Sequence, residues 1–372
     1  MRILHIIPNL KKGGAERICI DICSELQTIG HEVAIVILEN SNEYTELTKT
    51  LNINYIQAFY QPSILKRSQL DLENLKRFIN NFKPEVIHSH LYEADLIALQ
   101  LNNSFPIKFF SHIHSNRKEL SRKNQGKTFK EKLSFTWERK LYLSLLEKKK
   151  VSLISISKDC YDFAINDLKR KKAQVTLISN CINFNKFQGE VKFITKNKEF
   201  KFINIGRFVE KKAQDFLIDV CEILKEKKIQ FQLTFLGEGN KMKAVKELAK
   251  RKNVLNYINF EGVVNFPEDF LNNSDIYLHS ATEEPFGLVL IEAMAAGLPV
   301  ISTDGYGNRD IINEGENGFM IWDRNPEVFA CKIIELINSP KLYQTMSKNA
   351  IEFAAKFDVK PYCKKLIQLY KA

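Results

Sequence analysis

The chain has 372 residues, 44% of them hydrophobic and 27% charged, with a formal net charge of +11. That balance excludes intrinsic disorder, and only 15 Gly and 10 Pro exclude collagen-like and low-complexity architectures. No apolar run reaches the roughly 18 residues a membrane-spanning helix needs, and the length exceeds one ordinary core, so two domains are expected.

The N-terminal MRILHIIPNLKKGG has too short an apolar stretch for a signal peptide and reads as a first strand, Ile3 to Ile7, running into a Lys11–Gly14 turn. A helix is predicted from Ala15 to Gly30 and a strand from Val33 to Leu38. The alternation continues: helix 70–82, strand 86–88, helix 94–100, strand 108–112, and strands at 151–156 and 175–178. Phe187 to Phe200 lacks periodicity and reads as a linker. A second series follows: strand 202–205, helix 213–225, strand 232–236, helix 241–250, strand 258–261, helix 267–271, strand 275–279, helix 288–296 and strand 299–302. A helical stretch from Glu327 to the C-terminus is interrupted near Phe357–Pro361. Strands alternating with helices predict parallel βαβ units, with ligand loops at the strand C-termini.

Seven cysteines, an odd number, sit mostly in apolar segments without CxxC spacing, which fits a reduced cytoplasmic protein. Cys19 and Cys23 share one helix face and read as small buried residues. Ten of the 15 glycines fall between 201 and 320, marking the second half as the nucleotide side.

Four constellations stand out. Glu284 and Glu292 lie eight residues apart in EPFGLVLIEAMAAGLPV, the first in a loop after a strand and the second within the following helix. Between them, Phe286, Gly287 and Leu288 would offer backbone N–H groups at a helix N-terminus, an anion site. Gly206, Arg207 and Lys212 follow the strand FINI, where cations could stabilise charge developing on a leaving diphosphate. Gly13 and Gly14, in GGAER, close the first strand and open the first helix, letting backbone approach a ligand. His88 with His90, and His112 with His114, end two strands, and alternation puts each pair on one face. A metal site there lacks a further carboxylate or cysteine ligand, so none is expected.

GGAER, GR-x4-K and E-x7-E, in this order along the whole chain, resemble the GT4 family of retaining, nucleotide-sugar-dependent glycosyltransferases of GT-B fold. The resemblance implies two facing Rossmann-like domains with an interdomain cleft: an acceptor-binding domain at 1–186, a donor-binding domain at 187–355, and a C-terminal helix, 356–372, packing back on the first. It implies a hexose-type transfer from an NDP-sugar, UDP-linked, to a glycan or lipid-linked oligosaccharide in bacterial surface polysaccharide synthesis. Catalytic roles fall to Glu284, His114, Arg207 and Lys212. Donor contacts fall to Gly14, Gly206, Arg207, Lys212, Glu284, Phe286, Gly287, Leu288 and Glu292. His90 and Asn180 would lie at the acceptor. Glu284 would bind sugar hydroxyls, Glu292 the ribose hydroxyls, and Arg207 and Lys212 the diphosphate.

There are departures from the family pattern. Ala213 stands where Gly is usual. LISNCINFN carries Ser179, Cys181 and Asn183 for Pro, Gly and Asp, and Asp310 replaces a Glu in TDGYGNRD. No Asp-x-Asp occurs, so no cofactor and no metal are expected. Two other classes remain open: a UDP-sugar epimerase of the same fold, and a non-catalytic membrane- or polyanion-binding protein.

Residues 117–150 carry a net +8, and Phe129, Leu133, Trp137, Leu141 and Leu145 form an apolar stripe every four residues. That pattern suits a helix on an anionic membrane surface and equally one packed on the first domain with snorkelling lysines. No nucleic-acid-binding motif is present, so no nucleic acid is expected as a partner.

Overall fold

The computed structural model describes residues 1–61, 69–101, 104–116, 128–148, 151–195 and 199–372. The chain divides into two units, Met1–Cys181 with Val359–Ala372, and Ile182–Asp358.

The first unit runs β1 Arg2–Ile7, α1 Gly14–Thr28, β2 Glu32–Ile37, β3 Asn52–Tyr55, the short strands β4 Phe59–Gln61 and β5 Gln69–Asp71, and α2 Glu73–Phe82. It continues through β6 Val86–His90, α3 Tyr92–Leu101, β7 Lys108–Ile113, α4 Phe129–Lys148, β8 Val151–Ser155, α5 Lys158–Asn166 and β9 Val175–Leu177. Seven strands form one parallel sheet in the order β3-β2-β1-β6-β7-β8-β9, so the strand order reverses between β1 and β6. Parallel strands are covered on both faces, which is why RILHII, EVAIVI and VIHSH are almost wholly buried.

The second unit runs α6 Phe184–Phe187, β10 Phe200–Ile205, α7 Asp215–Glu226, β11 Phe231–Leu236, α8 Met242–Arg251, β12 Ile258–Gly262, α9 Pro267–Asn272 and β13 Ile276–His279. Then come α10 Leu288–Ala295, β14 Val300–Thr303, β15 Gly318–Ile321, α11 Pro326–Asn338 and α12 Pro340–Ala354. Its sheet is parallel in the order β12-β11-β10-β13-β14-β15, reversing between β10 and β13. Phe202, Phe208, Leu217, Leu233, Phe235 and Phe329 lie in its core. α13, Val359–Lys371, returns to the first unit and packs on α1.

The change of unit lies at Cys181/Ile182, beside the expected 186/187, with α6 packed on α10 and Ile182 donating its N–H to the Phe357 carbonyl at 2.9 Å. Two expectations are corrected. The stretch expected as a linker is pinned over its described part: Gly189 N–H bonds the Ala295 carbonyl at 3.0 Å, and Lys192 N–H bonds Ser347 Oγ at 2.8 Å. A Cβ on Gly189 would sit 2.7 Å from the Ala296 oxygen, so only glycine allows this approach. The final helical stretch is also cut at Ser339–Pro340, since proline opens α12 rather than continuing α11.

α4 bears on the basic segment, of which residues 117–127 and 149–150 lie outside the described part. In α4 Tyr142 and Leu146, which lie outside the expected stripe, are the buried hydrophobic residues among the described ones. Phe129 and Leu133 are 83% and 59% exposed, while Trp137, Leu141 and Leu145 are half-buried.

Candidate functional site

In the second unit the strand-order reversal brings two loops side by side, the usual ligand-binding position in an open α/β sheet. One follows β10 and carries Gly206, Arg207 and Lys212; the other follows β13 and carries Glu284. Their backbones are laced together. Thr282 N–H bonds the Lys211 carbonyl at 2.8 Å, Ser280 Oγ donates to the Lys212 carbonyl at 2.8 Å, and Gln214 Nε2 donates to the Arg207 carbonyl at 3.2 Å.

Lys212 Nζ lies 2.5 Å from Glu284 Oε2, and His279 Nε2 lies 3.3 Å from the same oxygen. Burial alone would raise the Glu284 carboxyl, but the charge of Lys212, with His279 close by, outweighs it and holds Glu284 well below the usual carboxylate range. Glu284 is therefore a fixed anion. Arg207 is exposed at the same strand end, and Lys211 is the solvated neighbour.

The Glu284 loop is shaped by a second loop, 303–310. Glu284 N–H bonds the Gly305 carbonyl at 2.8 Å and its own carbonyl accepts from Gly307 N–H at 2.9 Å. A Cβ at Gly305 would meet Glu284 Cβ at 2.9 Å, and one at Gly307 would collide with the Pro285 carbonyl. Asn308 ties this loop down, donating to Ser302 Oγ at 2.8 Å and accepting from Gly305 N–H at 2.9 Å. Between them Tyr306 has φ 74°, a value that favours glycine. Asp310 is exposed.

Phe286 is a core side chain, packed on Phe357, so only its backbone is available to a ligand. Gly287, at φ 104°, opens α10 with no side chain capping it, and Leu288 begins the helix. Glu292 lies on α10, partly buried, and both it and Glu284 act electrostatically on Tyr277. Sequence reasoning missed His279, Gln214, Tyr277 and Arg324. Arg324 donates to the Ser280 carbonyl at 2.9 Å and to Thr303 Oγ1 at 3.0 Å, buttressing both loops from beneath.

In the first unit Gly14 is exposed and opens α1, while the preceding Gly13 exchanges hydrogen bonds with Tyr44 OH at 3.1 Å. Arg17 pairs with Asp21 on its own helix at 2.8 Å, both side chains being largely enclosed. The four strand-end histidines form one cluster, joined by His5 of β1. His5 Nδ1 and His90 Nε2 lie 2.8 Å apart, and His90 Nδ1 and His114 Nε2 lie 3.0 Å apart. His88 Nδ1 bonds Tyr370 OH at 2.5 Å. Burial pushes His88, His90 and His112 well below the usual imidazole value and His114 down to about 3, so all four are neutral at pH 7.

The two residues expected at the acceptor, His90 and Asn180, are both buried. His90 is fully buried and both ring nitrogens are already engaged. Asn180 is 3% exposed, its N–H bonding the Ile156 carbonyl at 3.3 Å. The Asn180 side-chain Oδ1 has no hydrogen-bond partner among the described residues, and His114 remains only partly buried.

Comparison with known proteins matches the family model "Glycosyl transferases group 1" over residues 187–353 and "Glycosyltransferase Family 4" over residues 12–186. An uncharacterized glycosyltransferase of Haemophilus influenzae is 24% identical over 340 residues, covering 90% of each chain. A poly(ribitol-phosphate) α-N-acetylglucosaminyltransferase of Staphylococcus aureus is 28% identical over 171 residues, 45% of this chain and 35% of that one. Two further curated glycosyltransferases, 30% and 34% identical, are each matched over only 42% of their length. Among solved structures, Anabaena HepE in complex with UDP superposes with a TM-score of 0.81 at 19% identity, over 100% of both chains. Matched by the two models through both halves, and sharing the GT-B fold, the chain belongs to the family 4 glycosyltransferases.

Proposed function

We propose that the protein is a retaining transferase moving a hexose-type sugar from a UDP-sugar to a glycan or lipid-linked oligosaccharide in bacterial surface polysaccharide synthesis. The observation carrying this reading is the junction of Lys212, His279 and Glu284 at the strand-order reversal of the second sheet, with Glu292 on the adjoining helix. A buried, permanently ionised carboxylate beside a lysine suits a donor whose anomeric carbon gains positive charge while its diphosphate gains negative charge.

In this reading Glu284 accepts hydrogen bonds from the sugar hydroxyls and steadies charge at C1, and Glu292 holds the ribose hydroxyls. Arg207, Lys212 and the backbone N–H groups at Gly287 and Leu288 receive the diphosphate, with Gly206 and Gly14 admitting backbone close to it. His114, as a neutral imidazole, bonds the 6-hydroxyl. The C1–O bond to phosphate breaks, its electron pair leaving with UDP. The acceptor oxygen bonds C1 on the same face, and its proton passes to the departing phosphate oxygen. These protein cations meet the charge without a divalent metal. Residues 117–150 would rest on an anionic membrane surface, supported by the exposed Phe129 and Leu133 at the start of α4.

A thermal-shift panel of UDP, GDP and ADP with several UDP-sugars, with and without EDTA, tests the donor assignment. A UDP-selective rise that survives EDTA is expected, since a ligand stabilises the folded state by RT ln(1 + [L]/Kd). A larger rise with GDP or ADP overturns the UDP assignment, and an EDTA-sensitive rise overturns the metal-free site. Flotation with anionic liposomes tests the membrane contact, and no binding at low salt overturns it.

A further inference from the structure

The first unit brings a nitrogen–sulfur cluster together that the transferase chemistry leaves unused. His5 lies on β1, and Cys19 and Cys23 lie one turn apart on α1; all three are fully buried. One ring nitrogen of His5 and the two sulfurs lie within 4.8 Å of one another. The spacing of the cysteines alone suggests small apolar filling, but an imidazole beside them is not filling. His5 Nδ1 is taken by His90 at 2.8 Å, while His5 Nε2 is buried, faces the Cys19 thiol and has no other hydrogen-bond partner among the described residues. Buried polar atoms are almost always satisfied, so a ring nitrogen met only by a thiol calls for an occupant.

The donor set says which occupant. Two thiols and an imidazole, with no carboxylate among them, are poor partners for Mg2+ or Ca2+, which take oxygen ligands. They suit thiophilic ions. Charge narrows the choice within that class. Each thiol loses its proton on binding, so Zn2+ with two thiolates and one neutral imidazole is a neutral assembly. Cu(I) would leave a net negative charge in a buried place, which is costly. The remaining ring nitrogen of His5 is held by His90, the outer-shell support that ligating histidines usually have.

We propose that His5 Nε2, Cys19 Sγ and Cys23 Sγ bind one Zn2+ ion that ties β1 to α1. These two elements flank the Gly13–Gly14 turn, so the ion braces that turn and takes no part in charge neutralisation at the diphosphate. Zinc binding displaces the two thiol protons to solvent, and no electron changes hands.

The test uses the full chain, refolded under reducing conditions with one equivalent of Co2+, because the ligands are enclosed in the folded state. A near-ultraviolet thiolate-to-cobalt charge-transfer band is expected, bleached by one equivalent of Zn2+. Cys19→Ser and Cys23→Ser each abolish the band. Cys331→Ser, which changes the exposed thiol of the second unit, leaves it intact. Absence of the band in the wild type, or its survival in Cys19→Ser, overturns the proposal. Should the serine variants fail to fold, native mass spectrometry of the zinc-refolded wild type decides. One zinc per chain, with a melting temperature that rises with zinc, supports the site; a metal-free mass overturns it. Retention of Cu(I) but not Zn2+ overturns the zinc assignment.

Discussion

Lys212 Nζ and Glu284 Oε2, 2.5 Å apart, join the turn after β10 to the loop after β13. Both side chains are largely enclosed, at 20% and 10% exposure, so neither charge is tolerated there without the other. Lys212→Ala should cost on the order of 3 kcal/mol, and pairing it with Glu284→Gln should recover most of that loss. Denaturant unfolding of the two single variants and the double variant measures the cycle. Additive losses would mean the pair does not act as a unit. The acid limb should change too. A carboxyl held low in the folded state adds stability in full above its ordinary value, and that stability drains away as pH falls below it. Lys212→Ala should flatten that acid limb.

Ala213, directly after Lys212, has φ 45° and ψ 48°, the left-handed region that a Cβ disfavours. The family's usual glycine at this point thus has a conformational reason. The chain retains alanine at a strain of about 1 kcal/mol, partly offset because alanine restricts the unfolded chain. Ala213→Gly should therefore raise stability by about 0.5–1 kcal/mol, read as a higher urea midpoint at unchanged slope. A lower midpoint would show that the turn does not strain alanine.

Much of this architecture was legible because a strand covered on both faces, such as the VAIVI of β2, reads as an unbroken apolar run. NINY, which forms the edge strand β3, was not, since its outer residues remain exposed and it carries no such run. GFMI, β15, is too short a run to announce itself. The spacing of Glu284 and Glu292 marked the loop after β13 and the helix α10 that follows it, because a loop residue and a residue one turn into the next helix are fixed by local geometry. His279, Gln214 and Arg324 converge from separate elements, and no spacing along the chain encodes their meeting. A histidine closing a strand just before the Glu284 loop was the one available signal for His279. The histidine pairs at 88–90 and 112–114 were visible as pairs, but that His5 joins them depends on β1 lying beside β6, with His5 opposite His88.

Asp95 sits in the core of the first unit, accepting from Ser89 Oγ at 2.6 Å, Ser111 Oγ at 2.7 Å and Tyr142 OH at 3.2 Å. Burial raises its carboxyl to about 7, against the pull of these three donors. Between its unfolded value near 4 and about 7 the folded chain holds a proton the unfolded chain has lost. Asp95 thus contributes a stability that falls as pH rises through that window and levels off above it. The full effect amounts to roughly 4 kcal/mol. The neutral histidines His88, His90, His112 and His114 impose the opposite slope, stability rising with pH up to their unfolded value. The readout is accordingly the difference between wild type and Asp95→Asn. The variant's relative stability should increase from pH 5 to pH 8, and a pH-independent difference would mean Asp95 is ionised throughout.

Glu292 is the sharper test of the donor assignment, because it separates binding from folding. It is partly exposed on α10, unlike Glu284, whose carboxylate is locked to Lys212. Removing it should leave the melting temperature within the narrow range of ordinary surface changes, about 0.5 kcal/mol. If it holds the ribose hydroxyls, Glu292→Ala loses hydrogen bonds to a charged acceptor, each worth roughly 1.5–3 kcal/mol, so UDP should bind about 10- to 100-fold more weakly by calorimetry. The same role requires the wild type to discriminate UDP from 2′-deoxy-UDP and the variant to discriminate much less. A variant that loses affinity for both nucleotides equally would place Glu292 near the phosphates or the base instead, and unchanged UDP affinity would move the ribose away from α10 altogether.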